Sequence, residues 1–127
     1  MNILVPISPG ELLDKITILE IKLARMTDEA KLGNVRLELE ALAAVEATLP
    51  GEASLPALRQ SLREINEALW AIEDDIRDCE RAGDFGARFV ELARAVYHTN
   101  DRRAAVKREV NVALGSRLVE EKSYAAY

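Results

Sequence analysis

The sequence predicts an all-α fold in which two antiparallel helical hairpins pack as one helical bundle, with short extended segments at both ends. Apolar residues recur at spacings of three and four along four stretches of the chain, which is the period of an amphipathic helix. Aromatic residues are only 5% of the chain, and Ala, Leu and Glu are abundant, a composition that favours helices over strands. A length of 127 residues predicts one domain, 1–127, with a single core.

The first predicted hairpin spans residues 8–49. Ser8-Pro9-Gly10-Glu11 is typical of a helix start, because the Ser8 side chain can cap a free amide and Pro9 suits the first turn. Thr27 or Asp28 can cap the second helix, which ends before Pro50-Gly51. Because the connection between the helices is short, we expect them to be antiparallel.

The second predicted hairpin spans residues 54–115 and follows a loop at 50–54. Ser54 is expected to cap the third helix, whose apolar residues alternate three and four apart as in a heptad seam. Gly83 can end this helix in a left-handed conformation, and Asp84 is expected to open the fourth. The tail, residues 116–127, has no helical period, and we expect it to be extended and to pack beside Asn2–Val5.

Polar residues interrupt the apolar seam of the fourth helix. Two helices that fold back at Gly83 bring together residues whose numbers sum to about 167, since both rise by about 1.5 Å per residue. This register places Trp70 opposite Tyr97 and Asn66 near Asn100. The predicted ligand-binding residues are Asn66, Trp70, Glu73, Tyr97, Asn100, Asp101, Arg103 and Lys107.

Two interpretations of these residues stay open. In the first, the aromatic rings form a wall, the amides orient a ligand, and Arg103 with Lys107 attracts an anionic group such as a carboxylate or phosphate. In the second, Asn100 and Arg103 satisfy one another and fix the register of the helices.

The remaining residue types indicate neither catalysis nor a bound metal. The acidic run Glu73-Asp74-Asp75 has no evident matching carboxylate pair on another helix, and no phosphate loop or nucleophile motif is present. His98 and Cys79 are the single residues of their types. We therefore predict no catalytic residue, no metal and no cofactor.

Charge and hydropathy restrict the partners and the location. The net charge of −5 disfavours nucleic acid, and the basic run from Arg102 to Arg108 lacks the interleaved aromatics that single-strand binders use. The N-terminus does not resemble a secretory signal, and no apolar run reaches the length of about 18 residues that a membrane span needs. A single cysteine excludes an internal disulfide, so we expect a cytoplasmic protein without a membrane segment.

The first helix predicts a homodimer. Leu13, Ile18 and Ile21 lie off its main apolar stripe, and one partner hairpin of this size cannot cover them all. A second copy of the chain is the expected partner of these three residues.

Four sequence blocks carry a family resemblance. They are Pro6-Ile7-Ser8 with Gly10 to Lys22 (GELLDKITILEIK), Asn66 to Trp70 (NEALW), Thr99 to Ala104 (TNDRRA) and Glu120 to Tyr124 (EEKSY). Together they resemble a small bacterial family known only as a domain of unknown function. The resemblance implies a stand-alone bacterial domain and no assigned activity, and it adds Glu11, Asp14, Lys15 and Lys122 to the positions to test.

We therefore expect a helical binding or interaction protein rather than an enzyme, although the sequence leaves enzyme activity open, with a small anionic ligand bound between the third and fourth helices. One alternative is a small helical enzyme that acts on an anionic metabolite, because preorganised charge alone can catalyse. A second alternative is a nucleic-acid-binding module that uses Arg102, Arg103, Lys107 and Arg108.

Overall fold

A computed structural model describes all of residues 1–127 and contains four α-helices and no strand. The helices are α1 (Pro9–Arg25), α2 (Glu29–Glu46), α3 (Leu55–Ala82) and α4 (Ala87–Ala113). The predicted all-α bundle is confirmed. Connections of three, eight and four residues join successive helices, and Gly83, at φ +66°, ends α3 in the left-handed conformation that glycine adopts without strain.

Local side-chain chemistry explains where two of the helices begin. The Ser8 hydroxyl accepts from the Glu11 amide at 3.2 Å, and the Asp28 carboxylate accepts from the Lys31 amide at 3.0 Å. Each bond satisfies an amide that has no partner inside its helix. Both caps were predicted.

The other two predicted caps are wrong. The Ser54 hydroxyl donates to the Glu52 carboxylate at 2.9 Å and caps no amide of α3. Asp84 accepts from the Gly86 amide at 3.1 Å, which forms a turn, and α4 begins only at Ala87. In both places the side chain of the expected cap is satisfied within the preceding loop, a competition typical of Ser and Asp.

Helix α1 lies at the centre of the molecule and packs against α2, α3 and α4. Leu13 of α1, Leu62 of α3 and Val110 of α4 are fully buried against one another and form the core where these three helices meet. Helix α2 packs along α1 and leaves most of its surface in water. The position of α1 explains why this helix is apolar on more than one face.

The predicted dimer surface on α1 is wrong. Leu13 and Ile21 have side chains that are 0% and 1% exposed within the single chain, and Ile18 is partly buried. The sequence argument assumed that α1 contacts one hairpin partner, whereas the chain itself covers α1 with three helices.

The tail runs back along α4 and has no regular secondary structure. Glu120 pairs with Lys107 at 2.9 Å and Glu121 pairs with Arg108 at 3.0 Å. The predicted packing of the tail beside Asn2–Val5 is wrong, because these ion pairs attach the tail to α4, whereas Ile3, Leu4 and Val5 line a groove with residues of α1 and α2. No helix is both long enough and apolar enough to cross a lipid bilayer.

Candidate functional site

A buried carboxylate joins the three helices at the centre of the bundle. Asp14 of α1 is 1% exposed, and the Arg103 guanidinium of α4 donates to both of its oxygens, from Nε to Oδ1 at 2.8 Å and from Nη2 to Oδ2 at 2.5 Å. This two-bond geometry fixes the plane of the guanidinium as well as its position. Arg103 itself keeps 28% of its side-chain exposure.

Asn66 of α3 completes the partners of this carboxylate. Its Nδ2 donates to Asp14 Oδ1 and to Thr17 Oγ1, both at 3.0 Å, and the Thr17 hydroxyl donates in turn to the Asp14 backbone carbonyl at 2.9 Å. Both N–H bonds of the Asn66 amide are therefore used. Its carbonyl oxygen accepts no hydrogen bond from the chain, although it is not sealed from the surface.

The charge of Asp14 is stabilised by these partners. Burial by itself would raise the pKa of this carboxyl group, but the hydrogen bonds from Arg103 and Asn66 and the charges of Arg103 and Lys107 outweigh burial and hold the pKa below its ordinary value. The bond to Asp14 likewise raises the pKa of Arg103. The pair is therefore ionised throughout the physiological range.

Helices α1 and α4 approach closely at Gly10. The Gly10 amide donates to Asn111 Oδ1 at 2.8 Å, and a Cβ at this position would lie only 2.4 Å from the Lys107 carbonyl oxygen. Only glycine fits such a contact. The close approach brings the first turn of α1 against α4, where Glu11 pairs with Lys107 at 2.7 Å.

Lys107 is buried between two carboxylates. Its side chain is 9% exposed and contacts Glu11 of α1 and Glu120 of the tail. Burial would lower the pKa of this ammonium group, but the hydrogen bonds to both carboxylates outweigh it and the pKa is raised. Lys107 therefore holds α1, α4 and the tail together.

A cavity of about 370 Å³ opens beside Asn66 and Arg103, and we call it the central cavity. Its lining combines apolar side chains of α1 and α3 and the indole of Trp70 with two amides and several charged groups. Its lining residues are Ile18, Ile21, Asn66, Leu69, Trp70, Glu73, Asp74, Arg77, Asn100 and Arg103.

Five of the eight predicted ligand-binding residues line the central cavity, and three do not. Tyr97 and Asp101 line a second cavity of about 340 Å³ between α4 and the tail, which we call the tail cavity, and Lys107 is committed to its ion pairs. Tyr97 lies about 160° around the helix from the buried Thr99 and is itself exposed, which accounts for its place outside the central cavity that Trp70 lines. The five residues in the central cavity are Asn66, Trp70, Glu73, Asn100 and Arg103.

The four further positions have different environments. Asp14 is the buried partner of Arg103, and Glu11 pairs with Lys107. Lys15 is exposed at a surface groove and forms no ion pair. Lys122 lines the tail cavity, where its ammonium lies 5.8 Å from the centre of the Tyr124 ring.

Contacts within the chain account for much of the polar interruption in the apolar seam of α4. Arg103 Nη1 reaches Asn100 Oδ1 at only 3.4 Å, so the expected mutual satisfaction of these two residues is weak, and Asp14 is the main partner of Arg103. The sequence register considered only α3 and α4 and missed the contribution of α1. Asp14 and Thr17 are polar residues that directly follow the buried Leu13 and Ile16, a signal that could have revealed it.

The basic run of α4 does not form a continuous positive surface. Arg103, Lys107 and Arg108 each pair with a carboxylate of the chain, which leaves Arg102 as the member of the proposed nucleic-acid set without an ion pair. Paired cations release fewer counterions on binding phosphate and contribute less to affinity. No group of three His, Cys, Asp or Glu side chains is arranged to hold a metal ion.

Comparison with known proteins identifies the family of the chain. The sequence model of the family of unknown function DUF6165 matches residues 3–127, and the chain therefore belongs to this family. No curated protein and no solved structure matches the chain.

Proposed function

We propose that this member of DUF6165 is a small-ligand-binding protein whose central cavity takes a carboxylate-bearing molecule. One observation carries the proposal: Arg103 lines the cavity, is held in place by a buried carboxylate, and has a side chain that is still 28% exposed. Asp14 occupies Nε and Nη2, whereas Nη1 has only the long contact to Asn100. A preorganised donor of this kind loses little conformational freedom when a ligand binds.

The rest of the cavity supports a small ligand with both apolar and polar parts. A volume of about 370 Å³ lies at the lower end of the range of small-molecule sites. Trp70, Ile18 and Ile21 supply an apolar wall. The free Asn66 carbonyl oxygen can accept from a hydrogen-bond donor on the ligand.

Charge favours a carboxylate over a phosphate as the anionic group. Asp14 neutralises Arg103, and Glu73 pairs with Arg77 at 3.0 Å. Asp74 adds one more negative charge, so the surroundings of the cavity carry no excess positive charge. The carboxylates that line the cavity repel a doubly charged phosphate more strongly than a singly charged carboxylate. A planar carboxylate needs only the N–H groups of Nη1 and the Asn100 amide.

The proposal is tested with a panel of small carboxylic acids and amino acids, screened by thermal shift and quantified by calorimetry. Trp70→Ala removes the aromatic wall, and Asn100→Asp places a competing carboxylate beside Arg103. Each substitution is expected to weaken binding by at least about tenfold, or about 1.4 kcal/mol, because Trp70→Ala removes apolar contact and Asn100→Asp adds a charge that repels the ligand.

Phe85→Ala serves as the matched control, because Phe85 is an exposed aromatic residue at the far end of α3 and α4 and lines neither cavity. If Trp70→Ala and Asn100→Asp both bind the ligand with wild-type affinity, the central cavity is not a carboxylate site. A panel in which no compound binds would show the same.

Oligomeric state and location stay predictions. A homodimer would have to use a surface other than Leu13 and Ile21, which the chain itself buries. Sedimentation of the pure protein at tens of micromolar tests it, and a monomer would exclude it at that concentration. A cytoplasmic location is the other part of this proposal, and fractionation of expressing cells tests it.

A further inference from the structure

The tail cavity gathers every tyrosine of the chain. The sequence contains three tyrosines, and Tyr97 of α4 with Tyr124 and Tyr127 of the tail all line this cavity. The rings of Tyr97 and Tyr127 meet edge to face with their centres 5.3 Å apart. Three phenol rings around one space of about 340 Å³ present electron-rich faces that attract cations.

The tail is attached on both sides of this space. Glu120 and Glu121 pair with Lys107 and Arg108, and at the other end the Tyr127 hydroxyl donates to the Asp101 carboxylate. The Tyr127 ring also packs on His98, with ring centres 4.7 Å apart. The chain thereby holds Tyr127 against α4 before any ligand arrives, with Tyr124 beside it in the lining of the same cavity.

The charged groups of the cavity point to a cation. Asp101 forms no ion pair with any lysine or arginine, and its one side-chain partner is the neutral Tyr127 hydroxyl. Lys122 also forms no ion pair, and its ammonium lies over the Tyr124 ring at 5.8 Å from the ring centre, within the distance of a cation–π contact. The chain therefore already places one of its own ammonium groups on this aromatic surface.

We infer that the tail cavity is a second ligand site, which binds an alkylated ammonium group between the tyrosine rings near Asp101 and displaces the exposed Lys122 side chain. A methylated ammonium suits such a site because it gives up little hydration and contacts several rings at once. Lys122 can move into water without leaving a carboxylate unpaired, so its displacement costs little. The linings of the two cavities share only Asn100, and the inference does not depend on the proposed function of the central cavity.

The experiment is an NMR and calorimetric titration of the full chain with tetramethylammonium and choline, at constant ionic strength set with potassium chloride. We expect saturable binding that shifts the resonances of the three tyrosines and of His98. Tyr97→Ala and Tyr124→Ala, both at exposed positions, are expected to weaken binding about three- to tenfold each. Phe85→Ala is again the aromatic control and is expected to leave the affinity unchanged.

Lys122→Gln shows whether the Lys122 side chain competes with the ligand or helps to bind it. If the side chain competes with the ligand, its replacement tightens tetramethylammonium binding about threefold or more. Weaker binding to Lys122→Gln, or saturable binding of benzoate that depends on Lys122, would overturn the inference, because either result makes the cavity an anion site. Absence of tyrosine shifts at millimolar tetramethylammonium would overturn it as well.

A last titration distinguishes two kinds of molecule that could carry the alkylated ammonium group. A short peptide with one trimethylated lysine presents the alkylammonium on a flexible side chain, and choline presents it as a free metabolite. Binding of either probe with the Lys122→Gln response supports the site, and the tighter probe identifies the source. Binding of the unmethylated peptide with equal affinity would contradict recognition of an alkylated ammonium.

Discussion

Asp14 is a buried carboxylate whose partners come from two other helices. Arg103 of α4 neutralises it with two hydrogen bonds, and Asn66 of α3 adds a third. A carboxylate in this position is stable only while its partners are present, because an unpaired buried charge is costly. The same contacts fix the direction of the guanidinium, so stability and the proposed binding depend on one group.

Asp14→Ala is expected to lower the free energy of unfolding by about 3 kcal/mol, since it leaves the Arg103 charge and the Asn66 amide without their acceptor. Urea denaturation at neutral pH measures the loss. Asp75→Ala is the control, because Asp75 is an exposed partner of Arg88 at 3.9 Å and its loss should be much smaller. Equal losses for the two variants would mean that the Asp14 contacts do not hold the bundle together.

The central position of α1 follows from its sequence, although periodicity alone does not reveal it. Apolar residues on more than one face indicate that a helix is covered on several sides, but they do not say whether a second copy or the same chain covers it. The three residues assigned to a dimer, Leu13, Ile18 and Ile21, meet helices of their own chain instead. The presence of the four helices and two of their four N-terminal caps could be predicted, because these features depend on residues that are close together in the sequence.

Gly10 of α1 tests the close packing of α1 on α4, and Gly33 of α2 serves as the comparison. Gly10→Ala would place a Cβ 2.4 Å from the Lys107 carbonyl oxygen, and the forced separation should cost about 2 kcal/mol. Gly33→Ala in α2 meets nothing within 4 Å and should stabilise the protein by about 1 kcal/mol through helix propensity.

Thermal and urea denaturation of both variants checks the comparison. A stabilising Gly10→Ala would contradict the close α1–α4 contact, since alanine would then gain helix propensity there without a clash.

The candidate site was predictable in its residues and only partly in its arrangement. The antiparallel register of α3 and α4 correctly brought Asn66, Trp70, Asn100 and Arg103 to one region. It could not give the rotation of each helix about its own axis, and Tyr97 with Asp101 therefore lies in a different cavity. Rotation is set by long-range contacts such as Asp14 with Arg103, which local spacing does not encode.

The whole bundle is organised so that three helices line one cavity, while α4 and the tail line another. Helix α1 supplies the buried carboxylate, α4 the oriented guanidinium and α3 the indole and the amide. None of these groups forms a binding site by itself. The proposed function is therefore a property of the folded bundle rather than of a sequence motif.

Trp70 makes the central claim directly measurable, because it is the single tryptophan of the chain and lines the central cavity. The indole N–H resonance in a nitrogen-15 NMR spectrum is followed while small carboxylic and amino acids are added. We predict a saturable shift of this resonance together with the side-chain signals of Asn100 and Arg103. An indole resonance that stays fixed while a carboxylate binds elsewhere, or throughout the whole panel, would contradict the assignment of the central cavity as the ligand site.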